Sequence, residues 1–219
     1  MKNSKLRRIL LTLACAVLLV SLSVGATLAY LTSQTGVVTN TFTVGNVAIT
    51  LDEGDVWEVD ETGFTAENNG LFKDDGETRV TANEYKLIPG RTYDKDPTVH
   101  VAEGSEDAYI FVQVVNGFAP YEAETCIAAQ MYDLGWREVA ENIFCLTDST
   151  TDDIGNAVVC EAGDNFVVFE TFTMSGTLTD AEYAAAKDAT ITIKAFAIQA
   201  EGISAADPAA IWDLYSAQE

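Results

Sequence analysis

The chain's single histidine, His100, limits what its side chains could catalyse. A zinc-peptidase motif of the His-Glu-x-x-His kind needs two histidines on one helical face, and a Ser-His-Asp or Cys-His arrangement would have to use His100. His100 lies in Thr98-Val99-His100-Val101, an alternating stretch that predicts a strand. It is therefore expected as a satisfied sheet residue, not as a ligand or base. No Gly-x-Gly-x-x-Gly or phosphate loop is present. With 34 Asp and Glu residues, paired carboxylates are unavoidable, so they carry little information about glycosidase chemistry. Asp52-Glu53-Gly54-Asp55 and Asp94-Lys95-Asp96 offer the oxygen ligands that Ca²⁺ prefers, without EF-hand spacing. Solvated acidic loops are the better reading and weak calcium binding is the alternative. No catalytic residue, metal ligand or cofactor is assigned.

Beyond Cys15 in the apolar N-terminal run, the cysteines are Cys126, Cys145 and Cys160. An odd, low number is not a disulfide framework. One bridge with a free thiol and three buried thiols both fit.

The N-terminus has the layout of a cleavable export signal. Lys2, Lys5, Arg7 and Arg8 form a basic flank, residues 9–20 are apolar except for Thr12, and small residues follow. Thr27 and Ala29 suit the −3 and −1 pockets of a signal peptidase, so cleavage between Ala29 and Tyr30 is expected. Residues 9–31 are just long enough for an uncleaved anchor, but their second half is weakly apolar. Thr12-Leu13-Ala14-Cys15 has too few apolar residues before it for a lipidation signal. The expectation is a secreted, extracellular protein with no membrane attachment after cleavage.

Removing residues 1–29 takes four of the 12 basic residues and none of the 34 acidic ones, leaving a net charge of −26. Nucleic acid and anionic lipid both need a positive footprint, so neither is expected as a partner. Residues 30–219 suit one domain with a sizeable core.

The elements that would frame any site are mostly strands. Residues 39–53 alternate as a half-buried strand, with Gly45-Asn46 shifting the phase. Residues 52–83 read as a long acidic loop with short strands, and residues 85–88 as a strand ended by Pro89-Gly90. Residues 108–115 (AYIFVQVV) are large on both faces, as in a strand covered on both sides. Further strands are expected at 142–146, 157–160, 166–172 and 189–200. In the last, Ile191, Ile193 and Ala195 face one way and Phe196 and Ile198 the other, which needs a bulge or cover on both faces. Helices are expected at 122–134 before Gly135, from Thr179-Asp180-Ala181-Glu182 as a capping box, and after Asp207-Pro208. Eight or nine strands with few helices predict an all-β fold, an antiparallel jelly-roll-like β-sandwich with a few short helices.

Three stretches resemble the TasA/camelysin family of secreted proteins from Gram-positive bacteria, which a dedicated signal peptidase (SipW) processes. They are Gly25-Ala26-Thr27-Leu28-Ala29-Tyr30-Leu31-Thr32 with Thr39-Asn40-Thr41-Phe42-Thr43-Val44-Gly45-Asn46-Val47, then Lys86-Leu87-Ile88-Pro89-Gly90 with residues 93–99, and the late strand at 191–199. The resemblance implies a jelly-roll domain that assembles with copies of itself into biofilm fibres. The freed N-terminal segment, residues 30–38 with Tyr30, Leu31, Thr32, Val37 and Val38, would add as a strand to the next subunit. The local chemistry agrees, because this segment is uncharged and free of proline. Camelysin-type members are described as metalloproteases, but one histidine and no ligand motif depart from that pattern. A surface metalloprotease and a monomeric binding module using Trp57, Phe64 and Phe72 are the rival readings.

Overall fold

The computed structural model describes residues 46–123 and 126–217. The expected cleavage point Ala29/Tyr30 and the donor residues Tyr30, Leu31, Thr32, Val37 and Val38 lie outside the described residues.

In chain order the strands are β1 (Ile49–Gly54), β2 (Arg79–Val80), β3 (Thr92–Asp94), β4 (Thr98–Val101), β5 (Ala108–Asn116), β6 (Trp136–Ala140), β7 (Ile143–Leu146), β8 (Asn165–Val167), β9 (Thr171–Thr173) and β10 (Ile191–Gln199). The helices are α1 (Ile127–Asp133), α2 (Asp180–Ala186) and α3 (Pro208–Ser216). All pairings between these strands are antiparallel, in a four-stranded sheet β2-β1-β4-β8, a second ordered β10-β5-β7-β6, and a two-stranded sheet β3-β9. The all-β expectation holds.

β5 organises the core. Its run contains neither Gly nor Pro, and Ile110, Phe111 and Val112 are fully buried. Ala108, Ile110, Val112 and Val114 face the main cluster, which also holds Val99 and Val101 of β4 and Phe144 and Leu146 of β7. The two four-stranded sheets thus share one core. Tyr109 and Phe111 turn the other way and join Ile143, Cys145, Phe196 and Ile198 beneath Ile211 and Trp212 of α3. Each fully buried large side chain contributes about 1.5–3 kcal/mol by leaving water.

This second cluster explains the awkward pattern of β10. Its nine residues pair with β5 without a slip, from Ile191↔Asn116 to Gln199↔Ala108, so there is no bulge. Both faces are covered instead: Ile191, Ile193, Ala195 and Ala197 by the main core, Phe196 and Ile198 by α3.

Local signals set the helix ends. Thr179 Oγ1 accepts the Glu182 N–H, while the Glu182 carboxylate accepts from the Thr179 N–H, completing the expected capping box. Asp207 Oδ1 accepts the Ala210 N–H at 3.0 Å, with Pro208 in the first turn of α3. α1 starts later than expected, at Ile127. Glu122 is bridged to Met174 and uses its carboxylate to accept the Ile127 N–H at 3.2 Å, so it caps the helix from outside. Gly135, at φ +91°, follows the helix in a backbone conformation that other residues rarely take.

Three expected strands differ. Residues 85–88 form no ladder, because their backbone is held by side chains. The Tyr93 hydroxyl donates to Lys86 O at 2.9 Å and accepts from the Ile88 N–H, and the Tyr183 hydroxyl donates to Leu87 O at 2.9 Å. Residues 157–160 make only isolated bridges, Ala157 to Thr147 and Cys160 to Ala108. Residues 166–172 divide between β8 and β9, which belong to different sheets. β3 and β6 were not anticipated. In β3, Tyr93 stacks on Phe172 of β9 with ring centroids 4.9 Å apart. All three thiols, Cys126, Cys145 and Cys160, are free.

Candidate functional site

The outer edge of β10 is the longest unbroken strand edge among the described residues. In an antiparallel ladder, alternate residues exchange hydrogen bonds with the neighbouring strand. The Gly117 N–H donates to Thr190 O and the Ala200 N–H to Asp107 O, so even-numbered residues of β10 bond to β5. On the other side of β5 the phase is opposite, with the Val114 N–H donating to Asn142 O. The N–H and C=O groups of Ile191, Ile193, Ala195, Ala197 and Gln199 therefore point away from β5. None of them bonds to another described residue. The other sheet edges are less open: β2 has two residues, β8 three, and β6 is interrupted by a register shift between Glu138 and Ala140.

A cleft lies along this edge. β1 pairs with β4 through Ile49–Asp52 but with β2 only at Glu53 and Gly54. Leu51 and Glu53 of β1 therefore face Ile191, Thr192 and Ile193 of β10 across a cavity of about 240 Å³. A second cavity of about 460 Å³ continues it, lined by Tyr85, Leu87, Phe118, Phe172, Lys187 and Ala189 among others, and both share Asn83, Lys95 and Ile191.

Glu53, Lys95 and Asn83 meet beside the cleft. Glu53 and Lys95 are buried, at 5% and 7% exposure. The Lys95 ammonium donates to Glu53 Oε2, and Asn83 Nδ2 donates to Glu53 Oε1 at 2.9 Å and to Gly54 O at 2.9 Å. Asn83 Oδ1 accepts the Val56 N–H at 3.2 Å. The Tyr85 ring centroid lies 5.9 Å from the Lys95 nitrogen, and its hydroxyl donates to Asp94 O. Burial, and then the charge of Glu53, push the Tyr85 phenol far above its ordinary value.

A second polar network ties the outer face of the first sheet together. Arg79 Nε donates to Asp52 Oδ1 at 2.7 Å and its Nη1 to Asp96 Oδ2 at 2.5 Å. Asp96 Oδ1 in turn accepts the Gly54 N–H at 2.7 Å. His100 places Nε2 2.9 Å from the same Asp52 oxygen and Nδ1 against Asn165 Oδ1. Burial would raise the Asp52 carboxyl, but hydrogen bonds from Arg79 and His100 and their charges hold it below the usual carboxylate value. His100 is thus the satisfied sheet residue the sequence predicts.

The two acidic stretches considered for calcium are engaged with the protein's own donors. Asp52 and Asp96 bind Arg79, Glu53 binds Lys95, Asp55 binds Lys73 at 2.9 Å, and Asp94 accepts the Phe72 N–H. Among the described residues, no group of three or more His, Cys, Asp or Glu side chains stands close enough to hold a metal ion. Trp57, Phe64 and Phe72 are each half-buried, with Trp57 against Gly63 and Phe72 against Gly54.

Sequence reasoning missed Asn83 as a partner of Glu53 and Lys95. They lie 30 and 42 residues apart along the chain from Glu53, and no local pattern joins them. The one available signal was a lone lysine, Lys95, between two aspartates in a chain poor in basic residues. No protein-family model matches the chain, and no curated protein or solved structure shows significant similarity to it.

Proposed function

We propose that the chain is a secreted structural protein, a subunit of extracellular matrix or biofilm fibres that assembles with copies of itself by N-terminal strand addition. In this reading a dedicated signal peptidase frees Tyr30, the protein is not an enzyme, and it belongs with the TasA/camelysin group. The observation that carries the reading is the outer edge of β10, which no other described residue pairs with. A soluble protein with a long exposed edge invites pairing by another strand. The segment from Tyr30 to Val38 has nine residues, as many as β10, and both span about 30 Å when extended. The segment carries no charged side chain, so it enters an acidic surface without charge repulsion. Head-to-tail addition does not close on itself and therefore yields filaments. A jelly-roll winding is part of this reading, supported by the passage of the chain between sheets from β4 to β5 and from β7 to β8.

The test is negative-stain microscopy of two purified proteins, one starting at Tyr30 and one at Thr39, at rising salt and Ca²⁺. Filaments from the first and monomers from the second are expected. If both remain monomeric, the N-terminal segment is not the assembling element.

A further inference from the structure

We propose that Lys95 and Asn83 condense into an intramolecular amide cross-link, with Glu53 as the catalytic acid–base. The inference does not depend on fibre formation. It rests on the juxtaposition of four groups that amide exchange requires. The nucleophile is the Lys95 amine, buried and held by Glu53 Oε2. The electrophile is the Asn83 carboxamide, whose Nδ2 is held at 2.9 Å by the other oxygen of the same carboxyl group. The carbonyl oxygen that would gain negative charge, Asn83 Oδ1, already faces the Val56 N–H at 3.2 Å. The leaving nitrogen is oriented further by Gly54 O at 2.9 Å.

A buried lysine–glutamate pair alone contributes little to stability, since apolar residues of similar volume serve as well. Here one carboxylate touches both an amine and an amide, and the positions of all three are fixed by a rigid strand and its neighbours. Holding reactants in this way replaces a bimolecular encounter with an effectively unimolecular step. The Tyr85 ring packs beside the Lys95 nitrogen, with its centroid 5.9 Å away.

The step balances without an outside reagent. Lys95 passes a proton to Glu53, and the neutral Nζ attacks Asn83 Cγ, forming the C–N bond. Glu53 then delivers a proton to Nδ2, the Cγ–Nδ2 bond breaks, and ammonia leaves. Together with the second proton that Nζ sheds, the products are a secondary amide and one ammonium ion, with Glu53 unchanged. The link would tie the extended segment containing Asn83 to Lys95, between β3 and β4, and would close residues 84–94 into a loop.

The test is the intact mass of the purified protein in denaturant, followed by peptide mapping. The expected result is a deficit of one ammonia, about 17 Da, and a branched peptide joining Asn83 to Lys95. Glu53→Gln and Lys95→Arg are expected to restore the full mass. Full mass in the unsubstituted protein overturns the proposal. So does an ammonia deficit mapped to Asn69 or Asn116, each of which precedes a glycine and can cyclise alone.

Discussion

Proline placed at neighbouring positions of β10 separates the fold from the use of its edge. Lys194 is even-numbered, so its N–H donates to Gln113 O within the ladder. Lys194→Pro deletes that bond, leaves a half-buried carbonyl without its donor and sets the proline ring against β5. The sum is about 2–3 kcal/mol of stability. Ala195 is odd-numbered and its N–H points away from β5. Ala195→Pro breaks no ladder bond and strains only the local φ, at about 1 kcal/mol. Urea titration followed by tryptophan fluorescence measures both losses, since Trp136 is fully buried and Trp212 packs on Phe196. The same Ala195→Pro change removes a donor from the outer edge of β10 and fills it with a ring. Pelleting and microscopy should therefore show a folded protein that no longer forms filaments. Equal destabilisation by both prolines would refute the assigned phase of the ladder. A folded Ala195→Pro protein that assembles like the unsubstituted one would refute the β10 edge as the accepting surface.

Other expected outcomes concern groups inside the fold. In the protein starting at Tyr30, a thiol reagent at pH 8 should label Cys126 and spare Cys145 and Cys160 until denaturant is added. Burial pushes the Cys160 thiol up to about 12, and burial and then the neighbouring Cys160 raise Cys145 still further. Asp52→Asn should lower the urea midpoint at neutral pH. Because the folded-state carboxyl of Asp52 is depressed, its contribution is present above about pH 4 and is lost as pH falls through the depressed value, so the two proteins should converge in strong acid. Trp136→Phe removes the indole N–H that donates to Val167 O at 2.9 Å in a fully buried setting. A loss of about 2 kcal/mol is expected in the same urea assay.

Where burial is dictated by a local run of residues, the sequence was a good guide. β5 is legible because eight residues without Gly or Pro present large side chains on both faces. α2 and α3 are legible because their caps are written in two to four adjacent residues. Residues 85–88 misled for a physical reason. Their alternation is real, but tyrosine hydroxyls from Tyr93 and Tyr183 satisfy the backbone that a ladder would have used. β6 was missed because Gly135 was read as the end of a helix and nothing beyond it alternates cleanly, with Arg137 buried. That guanidinium donates to the carbonyls of Tyr132, Trp136, Ser149 and Thr151, partners that no spacing rule finds. The cluster of Glu53, Asn83 and Lys95 was hidden for the same reason, because its members belong to a strand and two connecting segments that meet only after the first sheet forms.

An edge of β10 that no other described residue covers and a large negative charge constrain each other. An unpaired strand edge in a concentrated, neutral protein would join any compatible strand, and proteins commonly guard such edges with charge. Along β10 itself Lys194 is the only charged residue, and its side chain alternates away from the face that meets the main core. The protection must therefore come from the whole surface, at −26 for the chain from Tyr30 onward. Such repulsion acts over a Debye length, about 10 Å at 0.1 M salt and about 3 Å at 1 M. Two subunits whose edge and donor segment are in register must bring like-charged surfaces closer than the first of these distances. Edge pairing should then be slow in dilute buffer and accelerate as salt rises, whereas association through apolar burial alone would change far less over the same range. If the proposed filaments form, the salt dependence of their growth reports whether surface charge or strand complementarity sets the rate at which the edge of β10 is filled.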